Sequence, residues 1–131
     1  MKVLALDYGL VRTGVALSDP TGTLARPVGV IERAGSGPGL ARVAELIAAE
    51  EVDRVVVGLP LTLSGQRGEQ VAVTERFVEA LRDVTGVPVE CFDERFTTDL
   101  AEQVSSTTPK DALAAAHLLS SYLHWAGDRV R

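Results

Sequence analysis

The stretch Met1-Lys-Val-Leu-Ala-Leu-Asp7-Tyr-Gly9-Leu-Val-Arg12-Thr-Gly14-Val-Ala-Leu-Ser-Asp19 decides how the rest of the chain is read. An apolar run, Val3 to Leu6, ends on Asp7, Tyr8 and Gly9, and a second run, Val15 to Leu17, follows Gly14 and closes on Ser18-Asp19. Two short Val- and Leu-rich runs around a Gly-bearing turn predict a β-hairpin. Asp7 then stands where the first strand leaves the sheet, with a glycine at each end of the turn. Glycine has no Cβ, so backbone at such a place can come close to a ligand or take positive φ. A carboxylate beside such a backbone suits a divalent metal and a phosphodiester. The ordinary alternative is that Asp7 merely starts a turn, as Asp often does. Its partners elsewhere in the chain decide between the two.

The totals narrow the field. With 131 residues, 46% hydrophobic and 24% charged, the chain reads as a single folded domain over residues 1–131, with enough length for a real core. No apolar run approaches a membrane span, and the start of the chain enters a strand directly rather than a cleavable apolar segment. A cytoplasmic protein without a membrane partner is expected. The single cysteine, Cys91, excludes an internal disulfide and reads as a small core hydrophobe. A net charge of −5 argues against a broad basic surface, so any grip on phosphates must come from a local cluster of Arg and Lys.

Outward from the hairpin, Ala25 to Ile31 reads as a third strand, and three strands joined by tight turns make an antiparallel meander. Leu40, Val43, Ala44 and Ile47 recur at helical spacing. Arg54 to Pro60 is a continuous apolar strand of the kind buried on both faces. A helix over about 68–84 carries Val73, Phe77, Ala80, Leu81 and Val84 on one stripe. Val87 to Phe92 is a short strand with Pro88 near its start, which suits an edge. A short helix over 99–104 is expected next. Pro109 opens a last helix whose stripe holds Ala112, Ala115, Ala116, Leu119, Tyr122, Leu123 and Ala126. The order βββαβαβα predicts an α/β fold, a mixed five-stranded sheet with helices on both faces.

Acids fall at three element ends: Asp7, the pair Asp93-Glu94, and Asp111 in the first turn of the last helix. If the later strands run parallel to the first, the ends of strands one and five share the side where α/β sheets build ligand sites. Mg²⁺ takes oxygen ligands from one or two carboxylates plus substrate phosphate. Two such ions about 3.5–4 Å apart can serve phosphodiester hydrolysis. Each acid also has a plain explanation, as turn residue or helix cap. Their convergence on one end of one sheet is what favours a site. Arg12, Arg67, Arg95 and Lys110 lie beside these acids and are candidate phosphate contacts. Thr97 and Thr98 are read as caps, and His117 and His124 as structural or surface residues.

Four blocks, LALDYGLVRTGVALSD at 4–19, VVVGLPLTLSGQRGEQ at 55–70, FDERFTT at 92–98 and KDALAAAHLLSSYL at 110–123, resemble the YqgF family over nearly the whole chain. These bacterial proteins are described as Holliday-junction resolvases and as nucleases of precursor ribosomal RNA. The resemblance implies a ribonuclease H-like fold with strand order 3-2-1-4-5. It also implies a hydrolase, a nuclease acting on structured RNA or branched DNA with Mg²⁺ or Mn²⁺. Carried over by motif, catalytic and metal-binding roles fall on Asp7, Glu94 and Asp111. Glu94 is preferred to Asp93 because one of two adjacent strand residues must point away. One departure stands out: the segment from Thr98 to Lys110 is short, and Lys110 is its only basic residue. That shortage and the acidic total favour 5′-end processing of pre-16S rRNA over junction resolution, which would require a homodimer.

Two rivals come from other classes. The Asp-x-Gly turn also resembles the phosphate-binding hairpin of actin-like ATPases, which need two such domains. A non-catalytic nucleic-acid-binding module fits the acidic charge but gives the three acids no purpose.

Overall fold

The computed structural model describes residues 1–60, 68–93 and 108–130. Its elements run β1 (Val3–Asp7), β2 (Arg12–Ser18), β3 (Ala25–Glu32), α1 (Gly37–Ala49), β4 (Arg54–Leu59), α2 (Glu69–Val84), β5 (Val89–Asp93) and α3 (Lys110–Val130). The strands form one mixed sheet in the order β3-β2-β1-β4-β5. The first three make the antiparallel meander, and β4 and β5 run parallel to β1. Both the element order and the ribonuclease H-like strand order are observed. The helix expected over 99–104 lies outside the described residues.

Side-chain alternation along the strands builds two cores, one on each face. Leu4 and Leu6 of β1 join Val15, Leu17, Val55 and Val57 beneath α1 and α2. Val3 and Ala5 point the other way, with Ala16, Val56 and Phe92, and meet Ala115, Leu118, Leu119 and Tyr122 of α3. The α3 face is made of small residues near the C-terminal end of β1 and of aromatic ones farther along the helix. At that far end Phe92, Tyr122 and Trp125 cluster edge-on, with centroids 5.5–5.9 Å apart.

Local chemistry sets the ends of the elements. The Ser18 hydroxyl accepts the Val3 N–H at 2.8 Å. The Asp19 carboxylate accepts the N–H groups of Thr23 and Leu24, each at 2.8 Å. These bonds, that of Leu24 foremost, hold the Asp19 carboxyl well below the usual carboxylate range. Ser36 caps α1 by accepting the Gly39 N–H at 3.1 Å.

Two expectations fail. The buried stripe of α2 is Val71, Thr74, Phe77, Val78 and Leu81, while Val84 is exposed. The helix is turned from the expected stripe because Thr74 can be buried: its hydroxyl donates to the Gln70 carbonyl at 2.8 Å. Cys91 is exposed rather than part of the core. It lies on edge strand β5, which has a neighbour on one side only.

Behind the aromatic cluster, Tyr122 donates to the Glu90 carboxylate, which also takes Arg54 Nη1 at 2.9 Å. Burial, reinforced by Glu90, pushes the Tyr122 hydroxyl up to about 12. Its folded-state pKa thus exceeds the unfolded value of about 10. The stability it contributes is therefore intact below pH 10 and is lost as pH rises through about 12. Tyr122→Phe should cost about 1 kcal/mol at neutral pH and flatten the alkaline loss of stability, as read by urea denaturation between pH 8 and 12.

Candidate active site

The direction of Asp7 follows from the alternation of β1. Val3 and Ala5 belong to the core under α3, and Leu4 and Leu6 to the opposite core, so Asp7 faces α3. Tyr8 falls on the other face, where its ring stacks on Phe77 of α2 at 4.2 Å with planes 13° apart. A Cβ added at Gly35 would come within 2.7 Å of the Tyr8 hydroxyl, so that connector closes over the ring. Tyr8 thus pins the end of β1 from behind and sets the face that Asp7 presents.

The last helix arrives at the same place. Gly14 of β2 is the register partner of Asp7, and paired Cα atoms of antiparallel strands lie about 4.5–5.5 Å apart. A Cβ on Gly14 would stand 1.7 Å from the Asp111 carbonyl oxygen and 3.1 Å from the Ala112 N–H nitrogen. The first turn of α3 therefore rests directly on β2 backbone beside Asp7. Fully buried Ala5 and Ala16 in the sheet, and Ala112 and Ala115 in the helix, keep the two layers close. The Pro109 carbonyl accepts the Leu113 N–H at 3.0 Å, so the helical pattern starts there and Asp111 lies in its first turn. Nearly the whole length of the chain separates Asp7 from Asp111, and the fold brings their backbones together.

Strand β5 supplies the third position. Glu90 and Phe92 face α3, while Val89 faces the opposite core. The same alternation puts Asp93 on the face away from Asp7. Glu94, Arg67 and Arg95 lie outside the described residues. In the register, Leu59 pairs with Asp93 and Leu6 with Val57. The C-terminal ends of β1, β4 and β5 are therefore nearly level.

Of the four candidate cations, two are described. Arg12 is exposed at the start of β2, and its Nε lies 3.4 Å from Asp111 Oδ2. With side chains 66% and 39% exposed, this pair is worth about 0–1 kcal/mol, so a phosphate could replace the carboxylate at little cost. Lys110 is exposed beside Asp111. His117 is half-buried and His124 exposed, both on α3 away from the first turn. Among the described residues no group of three His, Cys, Asp or Glu residues converges as a metal cluster. The two described acids, Asp7 and Asp111, offer the hard oxygen donors that fit Mg²⁺ or Mn²⁺.

Two residues that build the site do so in a way the sequence alone does not show. Tyr8 gave no signal, because stacking on Phe77 is visible only in the fold. Gly14 was read as a turn end open to a ligand. It lies inside β2 instead, and the group that needs its missing Cβ is the backbone of α3.

Comparison with known proteins agrees with this architecture. The family described as RuvX: Holliday junction resolvase matches residues 1–125. A protein of Chloroflexus aggregans named "Putative pre-16S rRNA nuclease" is 43% identical over 130 residues, 92% of each chain. A protein of the same name from Desulforudis audaxviator is 42% identical, covering 95% of this chain and 94% of its own. Among solved structures, Thermus thermophilus RuvC in complex with a Holliday junction substrate superposes with a TM-score of 0.70. It is 18% identical, covering 98% of this chain and 96% of that one, which supports the ribonuclease H-like fold. Over nearly its whole length, therefore, the chain belongs to the RuvX family.

Proposed function

We propose that this protein is a divalent-metal-dependent nuclease that hydrolyses phosphodiester bonds in structured nucleic acid, with 5′-end processing of pre-16S rRNA as its task. The observation that carries the reading is the seating of α3 on Gly14, which sets Asp111 beside the carboxylate-bearing end of β1. The names of the curated relatives support the choice of RNA.

In this reading Asp7, Glu94 and Asp111 hold Mg²⁺ or Mn²⁺. A divalent cation held there would supply the positive charge that favours attack by water and eases departure of the leaving oxygen. Asp7 and Asp111 position that charge from two rigid elements, a central strand and a helix that lies flat on the sheet. Arg12, Arg67, Arg95 and Lys110 contact phosphates and hold the scissile bond in place. Arg12 exchanges its weak pairing with Asp111 for a substrate phosphate. The site belongs to a single domain spanning 1–131, acting in the cytoplasm. Among the described residues no helix is long and apolar enough to cross a membrane.

The test is Mn²⁺-dependent cleavage of a pre-16S rRNA fragment beside a four-way DNA junction. Shortening of the RNA at its 5′ side is the expected result. Paired symmetric nicks in the junction alone would replace it with junction resolution by a homodimer. Binding of either without cleavage would overturn the nuclease reading in favour of a binding module.

A further inference from the structure

The turn between β1 and β2 carries two of the most exposed large apolar side chains among the described residues. Leu10 is 67% exposed and Val11 62%. Exposed apolar residues are ordinary when scattered, but these two are adjacent, on a tight turn, between Asp7 and Arg12. The turn is also held firmly. The Val11 carbonyl accepts the Arg33 N–H at 2.8 Å, tying the turn to the end of β3. A Cβ on Gly9 would lie 2.4 Å from the Arg12 carbonyl oxygen, so the chain doubles back as closely as backbone allows. Thr13, just beyond, is fully buried. A turn fixed in this way loses little freedom when something docks on it.

Its position says what would dock. Three residues of chain reach at most about 11 Å, so Leu10 stays within that distance of Asp7. A nucleic acid whose phosphate lies at Asp7 and Asp111 must pass over or beside the turn. The outside of an intact duplex offers charged phosphates and polar groove edges, which gain nothing from a Leu-Val pair. The one broad apolar surface a nucleic acid owns is the face of a base, and it is open only where stacking is interrupted. Apolar wedges inserted at such steps are a known way for proteins to hold distorted nucleic acid.

We propose that Leu10 and Val11 form an apolar tip that packs against the exposed base face at a single-strand–duplex boundary and thereby selects where the substrate is held. The inference rests on the nuclease reading of the site and narrows its substrate to RNA with a break in base stacking near the scissile phosphate. Arg12, next along the turn, takes the phosphate beside that base. Specificity in this scheme comes from shape and stacking rather than from reading a sequence, as is common in RNA recognition.

The experiment compares the protein with its Leu10→Ser/Val11→Ser form, binding two RNAs in Ca²⁺ rather than Mn²⁺. One is a stem with a 5′ single-stranded extension and 2-aminopurine at the boundary; the other is a continuous duplex of equal length. Both positions are exposed, so the fold should tolerate the change, and an unchanged thermal midpoint checks it. The wild-type protein should raise 2-aminopurine fluorescence on the forked RNA. The double variant should lose that rise and bind the fork about 10-fold more weakly, as expected for about 1.4 kcal/mol of lost apolar contact, with duplex affinity unchanged. Leu10→Phe, which enlarges the apolar tip, should bind the fork at least as tightly as the wild type. Equal affinity of wild type and double variant for the fork, or equal losses on fork and duplex, would overturn the proposal. A wild-type protein that gives the fluorescence rise yet cleaves no RNA in Mn²⁺ would overturn the nuclease reading and leave the tip standing.

Discussion

Asp7→Asn should abolish cleavage and leave the fold intact. The amide keeps the size of the side chain at the end of β1 but removes the charge that a hard cation needs. Loss of an outer-shell partner of a metal costs about 10–100-fold, so loss of a ligand should exceed about 100-fold. Thermal unfolding separates loss of function from loss of structure. The midpoint without metal should move by no more than about 2 °C, because Tyr8 and its stack on Phe77 still hold the strand end. The wild-type protein should gain stability as Mn²⁺ is added, and the variant should gain far less. A folded Asp7→Asn protein with a tenth or more of wild-type cleavage would remove Asp7 from the metal site.

Gly14→Ala should be strongly damaging, because among the described glycines it is the one whose added Cβ would meet backbone most closely. The new Cβ would sit 1.7 Å from the Asp111 carbonyl oxygen, a distance at which the helix or the strand must move. Overpacking usually costs about 1–3 kcal/mol, and the upper end applies because neither contacting group is a flexible side chain. Activity should fall further than stability alone explains, since relieving the clash pushes the first turn of α3 away from Asp7. Urea denaturation gives the first quantity, and cleavage at a temperature where the variant is fully folded gives the second. Gly29→Ala is the control: it lies in the neighbouring strand β3 with nothing within 4 Å of the added Cβ. It should change stability by less than about 1 kcal/mol. Equal behaviour of the two variants would mean that α3 can shift without consequence for the site.

The sequence carried the elements well where their signals were local. Alternating or continuous apolar runs placed four of the described strands to within two residues and began β2 three residues late, at Val15 instead of Arg12, because strand patterning is written in neighbouring apolar residues. Strand order was not local and came from the resemblance to a family. The stripe of α2 was misplaced because a buried threonine looks like a polar residue until its hydroxyl finds the Gln70 carbonyl. Cys91 was misplaced because its surroundings in sequence are apolar while its strand is an edge. The candidate acids were legible as acids at element ends. Their convergence at one end of the sheet was an expectation; what the sequence did not show is that the backbone of Asp111 rests on Gly14, the register partner of Asp7. Strand alternation in β5 places Asp93 on the face away from Asp7, and Glu94 lies outside the described residues.

The seating of α3 on Gly14 also has a temporal consequence. A ribosome makes Asp7 about a hundred residues before Asp111, and domains fold as units during synthesis. Contacts so distant in sequence form late and slowly. Until α3 emerges, the nascent sheet leaves Val3, Ala5, Ala16, Val56 and Phe92 without their cover. A half-made chain would therefore expose this apolar face until translation has delivered the last helix, and the backbone of Asp111 would reach Gly14 only then.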